Sequence, residues 1–232
     1  MKNFMKKRAF TLTEVLIALV VIGIIASLTI PATVNKSSGQ ERVAKLQKAY
    51  NTWIAAIQNA EAEHAPAHYW DTKLDTETFF SKYLKNNFDI MIDCKMTDNS
   101  QCFAKTGYKD LTGEPFHISE PGSLFNSGTN YKFITPDGIS HSFYKHKGNV
   151  LIVWVDINAR KAPNQVGRDV FQFYIFSDPD WTNCDKRGIC NPRRGVKPSG
   201  YDSQDIDAEC NQTNSTGQKC AAKVLVEEAM NY

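Results

Sequence analysis

The chain lacks the short motifs by which most catalytic sites can be read from sequence. It has no Gly-x-Ser-x-Gly elbow, no glycine-rich phosphate loop and no His-Glu-x-x-His pair, so nothing points to a serine hydrolase, a P-loop nucleotidase or a zinc protease. None of the six cysteines stands in a Cys-x-x-Cys pair, which weakens zinc-ribbon and thioredoxin-like readings. An excess of one charge is also missing. With 27 Lys and Arg against 25 Asp and Glu, the formal net charge is +2, and there is no global nucleic-acid signature. The most telling absence is local: from Val15 to Asn35 there is no charged residue at all.

Twenty-one uncharged residues at 1.5 Å rise make a helix of roughly 31 Å, about one hydrocarbon thickness. Lys2, Lys6, Lys7 and Arg8 precede this stretch, and no basic residue interrupts it. That asymmetry keeps the amino end in the cytoplasm and places everything from Lys36 onward outside. An ordinary secretory signal peptide and an uncleaved anchor are the plain alternatives, but the apolar core exceeds the ~7 to 15 residues of a signal peptide.

The junction RAFTLTEVLIALVVIGIIASLTIP resembles the class III leader of type IV pilins and type II secretion pseudopilins. The resemblance implies that a membrane-embedded prepilin peptidase cuts after Ala9, where the family usually has Gly, and methylates Phe10. It also implies a role for Glu14, the lone acid at the edge of the apolar run. A carboxylate there is costly unless partnered, and in the family it pairs with the amino terminus of the adjacent subunit during assembly. Pro31 stands where the family places a helix-kinking proline, which removes one backbone hydrogen bond and bends or locally melts the rod. Alternatively it ends the membrane helix ahead of a flexible stretch from Lys36 to Gly39.

Beyond Gly39 the helix signal becomes amphipathic. Val43, Leu46, Tyr50, Trp53, Ile54 and Ile57 fall at helical spacing, with Glu41, Arg42, Lys45, Lys48 and Gln58 on the other face. The two halves together predict one spine from Phe10 to about Glu63, closed by Pro66. A second helix is expected from about Glu77 to Asn87, capped by Asp75 or Thr76. The segment from Met91 to Gly128 reads as irregular. Four β-rich runs follow, Tyr131 to Thr135, Ile139 to Tyr144, Val150 to Ile157 and Val170 to Phe176, with turn chemistry at Pro136–Gly138, Gly148–Asn149 and Pro163–Gly167. They predict an antiparallel meander packed on the spine. The fold class is therefore α+β, which is also the architecture the resemblance implies.

VDINARKAPNQVGRDVFQFYI, Val155 to Ile175, is similar to the DxNGxKxPNxxGxDxFxF signature of a bacterial subfamily of prepilin-like proteins, with Ala159 in place of Gly. The ending AAKVLVEEAMNY, Ala221 to Tyr232, resembles that subfamily's carboxyl end. Asp156 and Asn158 could give oxygen ligands to calcium, as loop carboxylates do in some pseudopilins; turn chemistry is the simpler account of the same residues. No other cofactor is implied.

An even count of cysteines outside the cytoplasm reads as disulfides. Fifteen connectivities are possible, and local spacing favours Cys94 with Cys102, Cys184 with Cys190 and Cys210 with Cys220. His64 and His68 form an i, i+4 pair broken by Pro66, a poor metal pattern. Lys186, Arg187, Arg193, Arg194 and Lys197, near Trp181 and Tyr201, could hold DNA phosphates or an acidic polysaccharide, or form a solvated loop face.

These observations divide the chain into a leader (1–9), a membrane and filament-core half of the spine (10–35) and an extracytoplasmic head (36–232). Removal of the leader's four basic residues takes the charge from +2 to 2 − 4 = −2. The function expected is that of a non-enzymatic subunit of a type IV pilus or type II secretion pseudopilus, resident in the inner membrane before assembly and in a periplasmic or surface filament afterwards. The partners implied by the resemblance are other pilins, the prepilin peptidase, a platform protein and an assembly ATPase. The rival of a different class is a single-pass anchored binding protein or enzyme that never polymerises.

Overall fold

The computed structural model describes residues 11–96, 101–104, 107–116, 128–146, 150–176, 182–184, 190–192 and 195–232, with the side chains of 26, 28–37, 182–184 and 190–192 outside the description. Its contacts separate Met1–Glu41 from Arg42–Tyr232, and the division falls within the first helix, α1, Leu12–His64.

In the first unit, Thr11 and Glu14 start the helix. Glu14 Oε2 accepts from the Thr11 amide at 2.8 Å and from Thr11 Oγ1 at 2.7 Å, while the Glu14 amide donates to Thr11 Oγ1 at 3.3 Å. This is a Thr-x-x-Glu capping box followed by an apolar run. Large apolar side chains from Leu12 to Ile25 are exposed on every side, Leu12 at 80% and Ile22 at 62%. Among the described residues no helix is long and apolar enough to cross a membrane. The uncharged run seen in the sequence, 15–35, extends into positions whose side chains are outside the description. The helix does not end at Pro31, nor does it break at Lys36 to Gly39.

In the second unit, the same helix has a buried stripe. Val43, Leu46, Ala49, Trp53, Ala56, Ile57 and Ala60 recur at three- and four-residue spacing and are buried. Tyr50 and Ile54 pack at its margin. The helix ends where Ala65 takes φ 76° ahead of Pro66. Helix α2, Thr76–Tyr83, is capped by Asp75, whose carboxylate accepts from the Thr78 amide at 3.0 Å. It is shorter than the sequence suggests, because a 3-10 turn, Lys85–Asn87, takes over after Leu84.

The strands are β1 Ile92–Lys95, β2 Tyr131–Ile134, β3 Ser140–Lys145, β4 Val150–Asp156, β5 Val170–Phe176, β6 Thr182–Cys184, β7 Cys190–Pro192 and β8 Gly195–Pro198. Six of them form one antiparallel sheet in the order β1-β2-β3-β4-β5-β8, and β6 pairs β7 in a separate ribbon. The four-strand meander is the centre of this sheet. The reading of Met91–Gly128 as irregular is corrected by β1, and the edge strand β8 adds a second strand beyond the expected set. Both edge strands are short, and β1 carries a register shift between Asp93 and Lys95.

Register sorts the sheet into two faces. Phe133, His141, Val155 and Phe171 align across β2 to β5, as do Tyr131, Phe143, Val153 and Phe173. This face meets α1 and α2: the Trp53 ring lies 4.6 Å from Phe88 and stacks on Phe143 at 6.1 Å, and Phe80 stacks on Tyr131 at 4.4 Å. The opposite face has a smaller apolar cluster in which Phe103, Tyr108, Ile134, Trp154, Val166 and Val170 surround the Cys94–Cys102 disulfide. Two short helices, α3 Ile206–Glu209 and α4 Cys220–Glu227, complete the carboxyl end and are joined by the Cys210–Cys220 disulfide. The chain is thus α+β, with an amino-terminal helix, a six-stranded antiparallel sheet and a disulfide-bonded carboxyl region.

Candidate functional site

Three regions hold the residues to which the sequence assigns roles. At the amino end, Ala9 and Phe10 lie outside the described residues, whereas Glu14 is placed by the capping box with Thr11. The sequence reading missed Thr11; its signal is the Thr-x-x-Glu spacing immediately before the apolar run. The free hydrogen-bonding capacity of Glu14 in this state is directed at its own helix start.

The second region is the loop between β4 and β5. Asp156 is buried, its Oδ1 accepting from the Asn158 amide at 3.1 Å and its Oδ2 from the Tyr108 hydroxyl at 3.1 Å. Asp169, also buried, accepts from the Gln165 amide at Oδ1, and at Oδ2 from Asn158 Nδ2 at 3.0 Å and the Asn164 amide at 2.9 Å. Burial and the proximity of Asp169 push the Asp156 carboxyl well above its ordinary range, and burial raises Asp169 too. Ala159 takes φ 57°, in the left-handed region, which explains physically why glycine is usual at that place in the signature. Gly217, on the carboxyl-terminal loop, closes against this region: a Cβ there would lie 2.4 Å from the Val166 carbonyl oxygen, so only glycine fits.

Oxygen-rich loops suit calcium, but every carboxylate oxygen here already accepts a hydrogen bond, three of them from the loop itself and Asp156 Oδ2 from Tyr108. Among the described residues no group of three or more His, Cys, Asp or Glu could hold a metal ion. Two amide oxygens, Asn158 Oδ1 and Asn164 Oδ1, are buried without a hydrogen-bond partner.

The third region is a polar chain inside the apolar core. Trp53 Nε1 donates to His141 Nδ1 at 3.1 Å, and His141 Nε2 lies 3.1 Å from Thr135 Oγ1. Thr135 donates to Asp137, which pairs with Lys48 at 3.0 Å. The chain leaves α1 at Trp53 and returns to it at Lys48, tying the helix to the β2–β3 hairpin. Complete burial lowers the His141 pKa from 6.5 to about 3, so the ring is neutral. The sequence reading assigned it no role, since an isolated histidine in a strand gives no such signal.

Residues 4–30 match the model of the prokaryotic N-terminal methylation motif. The chain carries the prepilin-type signature of type IV pilins and pseudopilins. No curated protein and no solved structure matches the chain. The prepilin-type motif points to a structural subunit rather than an enzyme, to processing by a prepilin peptidase, and to a protein anchored in the membrane before it joins a filament.

The other sequence-assigned residues of this prepilin-type chain divide by position. Cys94–Cys102 and Cys210–Cys220 form as spacing suggests, and no cysteine among the described residues is free. Cys184 and Cys190 face each other in the β6–β7 register, with side chains outside the description. His64 lies 3.8 Å from Glu63 and edge-on to Tyr83, while His68 packs on Tyr69; neither joins a metal cluster among the described residues. Of the basic group, Lys186, Arg187, Arg193 and Arg194 lie outside the described residues, and Lys197 sits over the Tyr201 ring at 5.8 Å.

Proposed function

We propose that this chain is a filament subunit of the type IV pilin or type II secretion pseudopilin kind, cut after Ala9, methylated at Phe10 and assembled through its amino-terminal helix. The observation that carries the reading is the methylation motif over residues 4–30, running into a helix whose apolar side chains have no cover of their own. A surface of that kind needs lipid or other apolar helices around it. In this reading the helix holds the subunit in the inner membrane before assembly and packs in the filament core afterwards. The head, with its disulfides, forms the outer surface.

Glu14 has a transferable role in this proposal. In the isolated subunit it caps its own helix through Thr11; in the filament it accepts the Phe10 amine of a neighbour, a charge-assisted bond stronger than the neutral ones it replaces. Pro31 supplies local bending of the packed rod. The partners are other pilins, the prepilin peptidase, a platform protein and an assembly ATPase. Imaging filaments on cells with and without the chain tests the reading: filaments that need it, or that contain it, support a pilus or pseudopilus subunit. A chain that stays in the membrane as a monomer while every filament forms normally would favour the anchored, non-polymerising alternative.

A further inference from the structure

The loop closed by Cys210–Cys220 reads Cys-Asn-Gln-Thr-Asn-Ser-Thr-Gly-Gln-Lys-Cys and contains two consecutive Asn-x-Thr triplets, at Asn211 and at Asn214. Such a triplet is the acceptor pattern for N-linked sugar, which requires a surface loop outside the cytoplasm. We propose that Asn214 is a glycan acceptor and that Asn211 is not. The proposal rests on the extracytoplasmic placement of the head.

The two asparagines differ in what their side chains already do. Asn211 Nδ2 donates to the Asp207 carbonyl at 3.1 Å and to the Ala208 carbonyl at 2.8 Å, finishing α3. Its Oδ1 accepts from the Thr213 amide at 3.0 Å and the Asn214 amide at 3.1 Å. Both ends of that side chain are committed to the turn, and a glycan on Nδ2 would break the bonds to α3. Asn214 is exposed, and its side chain has no hydrogen bond among the described residues.

The triplet at Asn214 is also presented correctly. Ser215, its middle residue, is buried, with its hydroxyl donating to the Glu209 carbonyl and accepting from the Gly217 amide at 3.0 Å. Asn214 and Thr216 on either side of it are both exposed. With the middle residue anchored inward, the acceptor Asn214 and the hydroxyl-bearing Thr216 both remain open to solvent. The remaining acceptor triplet of the chain, Asn-x-Ser at Asn35, falls where side chains are outside the description.

The donor is a lipid-pyrophosphate-linked oligosaccharide on the extracytoplasmic face of the inner membrane. Asn214 Nδ2 bonds to the anomeric carbon, the carbon–oxygen bond to pyrophosphate breaks, and its electron pair leaves with the lipid pyrophosphate as one Nδ2 proton passes to solvent. No oxidant or reductant is needed.

Peptide mapping by mass spectrometry of the protein isolated from its own membranes tests this. The peptide containing residues 211–219 should carry a sugar mass at Asn214, with Asn211 bare. Asn214→Gln and Thr216→Ala should each abolish the added mass, and Asn211→Gln should retain it. An unmodified Asn214, or sugar on Asn211 instead, overturns the proposal. The amino-terminal peptide of the same digest reports separately on processing at Phe10, so a failed acceptor site is distinguishable from a failed filament reading.

Discussion

Helix α1 has two halves with opposite relations to their surroundings. From Leu12 to Ile25 the large side chains are exposed on all sides; from Val43 to Ala60 one stripe is buried and the exposed remainder is mostly polar, with Lys48, Asn51, Gln58 and Asn59 on it. The secondary structure is the same, and the difference is in sequence pattern alone. An apolar surface with no preferred face gains stability only in a medium that covers it all round, whereas a stripe needs a single partner surface. The first half accordingly concerns where the protein resides and what it joins. The second holds the head together.

This contrast predicts that mutations in the two halves fail differently. Glu14→Ala should abolish filament assembly, a loss of more than about tenfold in filament yield, since an unpartnered amine would be left in an apolar core. Head stability and membrane insertion should be unchanged. Immunoblotting of sheared filaments and of membranes reads both, and normal filament yield in the mutant would remove Glu14 from assembly.

Trp53→Ala is the reciprocal change. Loss of a fully buried Trp from a core costs about 3 to 5 kcal/mol, and here it also strips His141 Nδ1 of its donor. Denaturant unfolding in detergent should show that loss, while the mutant still inserts. A head as stable as the wild type would contradict the assignment of this half of α1 to the core.

Much of this division was readable beforehand. The stripe from Val43 to Ile57, the closure at Pro66 and the strands β2 to β5 follow from helical periodicity, from proline and from β-branched and aromatic runs bounded by turn residues. What escaped was short or irregular. Strand β1 contains Asp93 and ends in Lys95 at φ 50°, and β8 contains glycine and proline, so neither has the composition of a strand. Their pairing is imposed by the sheet. The tie from Trp53 through His141 to Lys48 was illegible for a related reason: its members lie far apart in sequence, and only the fold brings them together.

Replacing Cys210 and Cys220 by serine should destabilise the head by roughly 2 to 3 kcal/mol, the constraint on the unfolded chain lost with a loop of this size, and should leave insertion intact. Thermal melts with and without reductant read the loss; equal melts would mean that the disulfide contributes nothing.

The pH dependence of the head follows from His141. Its pKa of about 3 in the fold lies below 6.5, so below pH 6.5 the unfolded chain takes up a proton that the folded chain refuses. Stability from this group is complete above pH 6.5 and falls as the pH drops towards 3, by at most about 1.4 kcal/mol per pH unit. Asp156 and Asp169, whose values are raised by burial, work in the opposite sense and gain stability on acidification. His141→Gln should flatten the acid slope relative to the wild type in melts between pH 6 and pH 4. Parallel slopes in the two proteins would place the acid sensitivity elsewhere.

If the chain is a filament subunit, the apolar half of α1 begins, in the mature protein, at a processed residue. Mass spectrometry of the amino-terminal peptide from membrane-derived protein measures this directly. The peptide expected starts at methylated Phe10, and the precursor stays uncut when Ala9 is replaced by a bulky residue. An intact Met1, or a mature chain that starts near Thr33 as a signal-peptide cut would give, contradicts this reading.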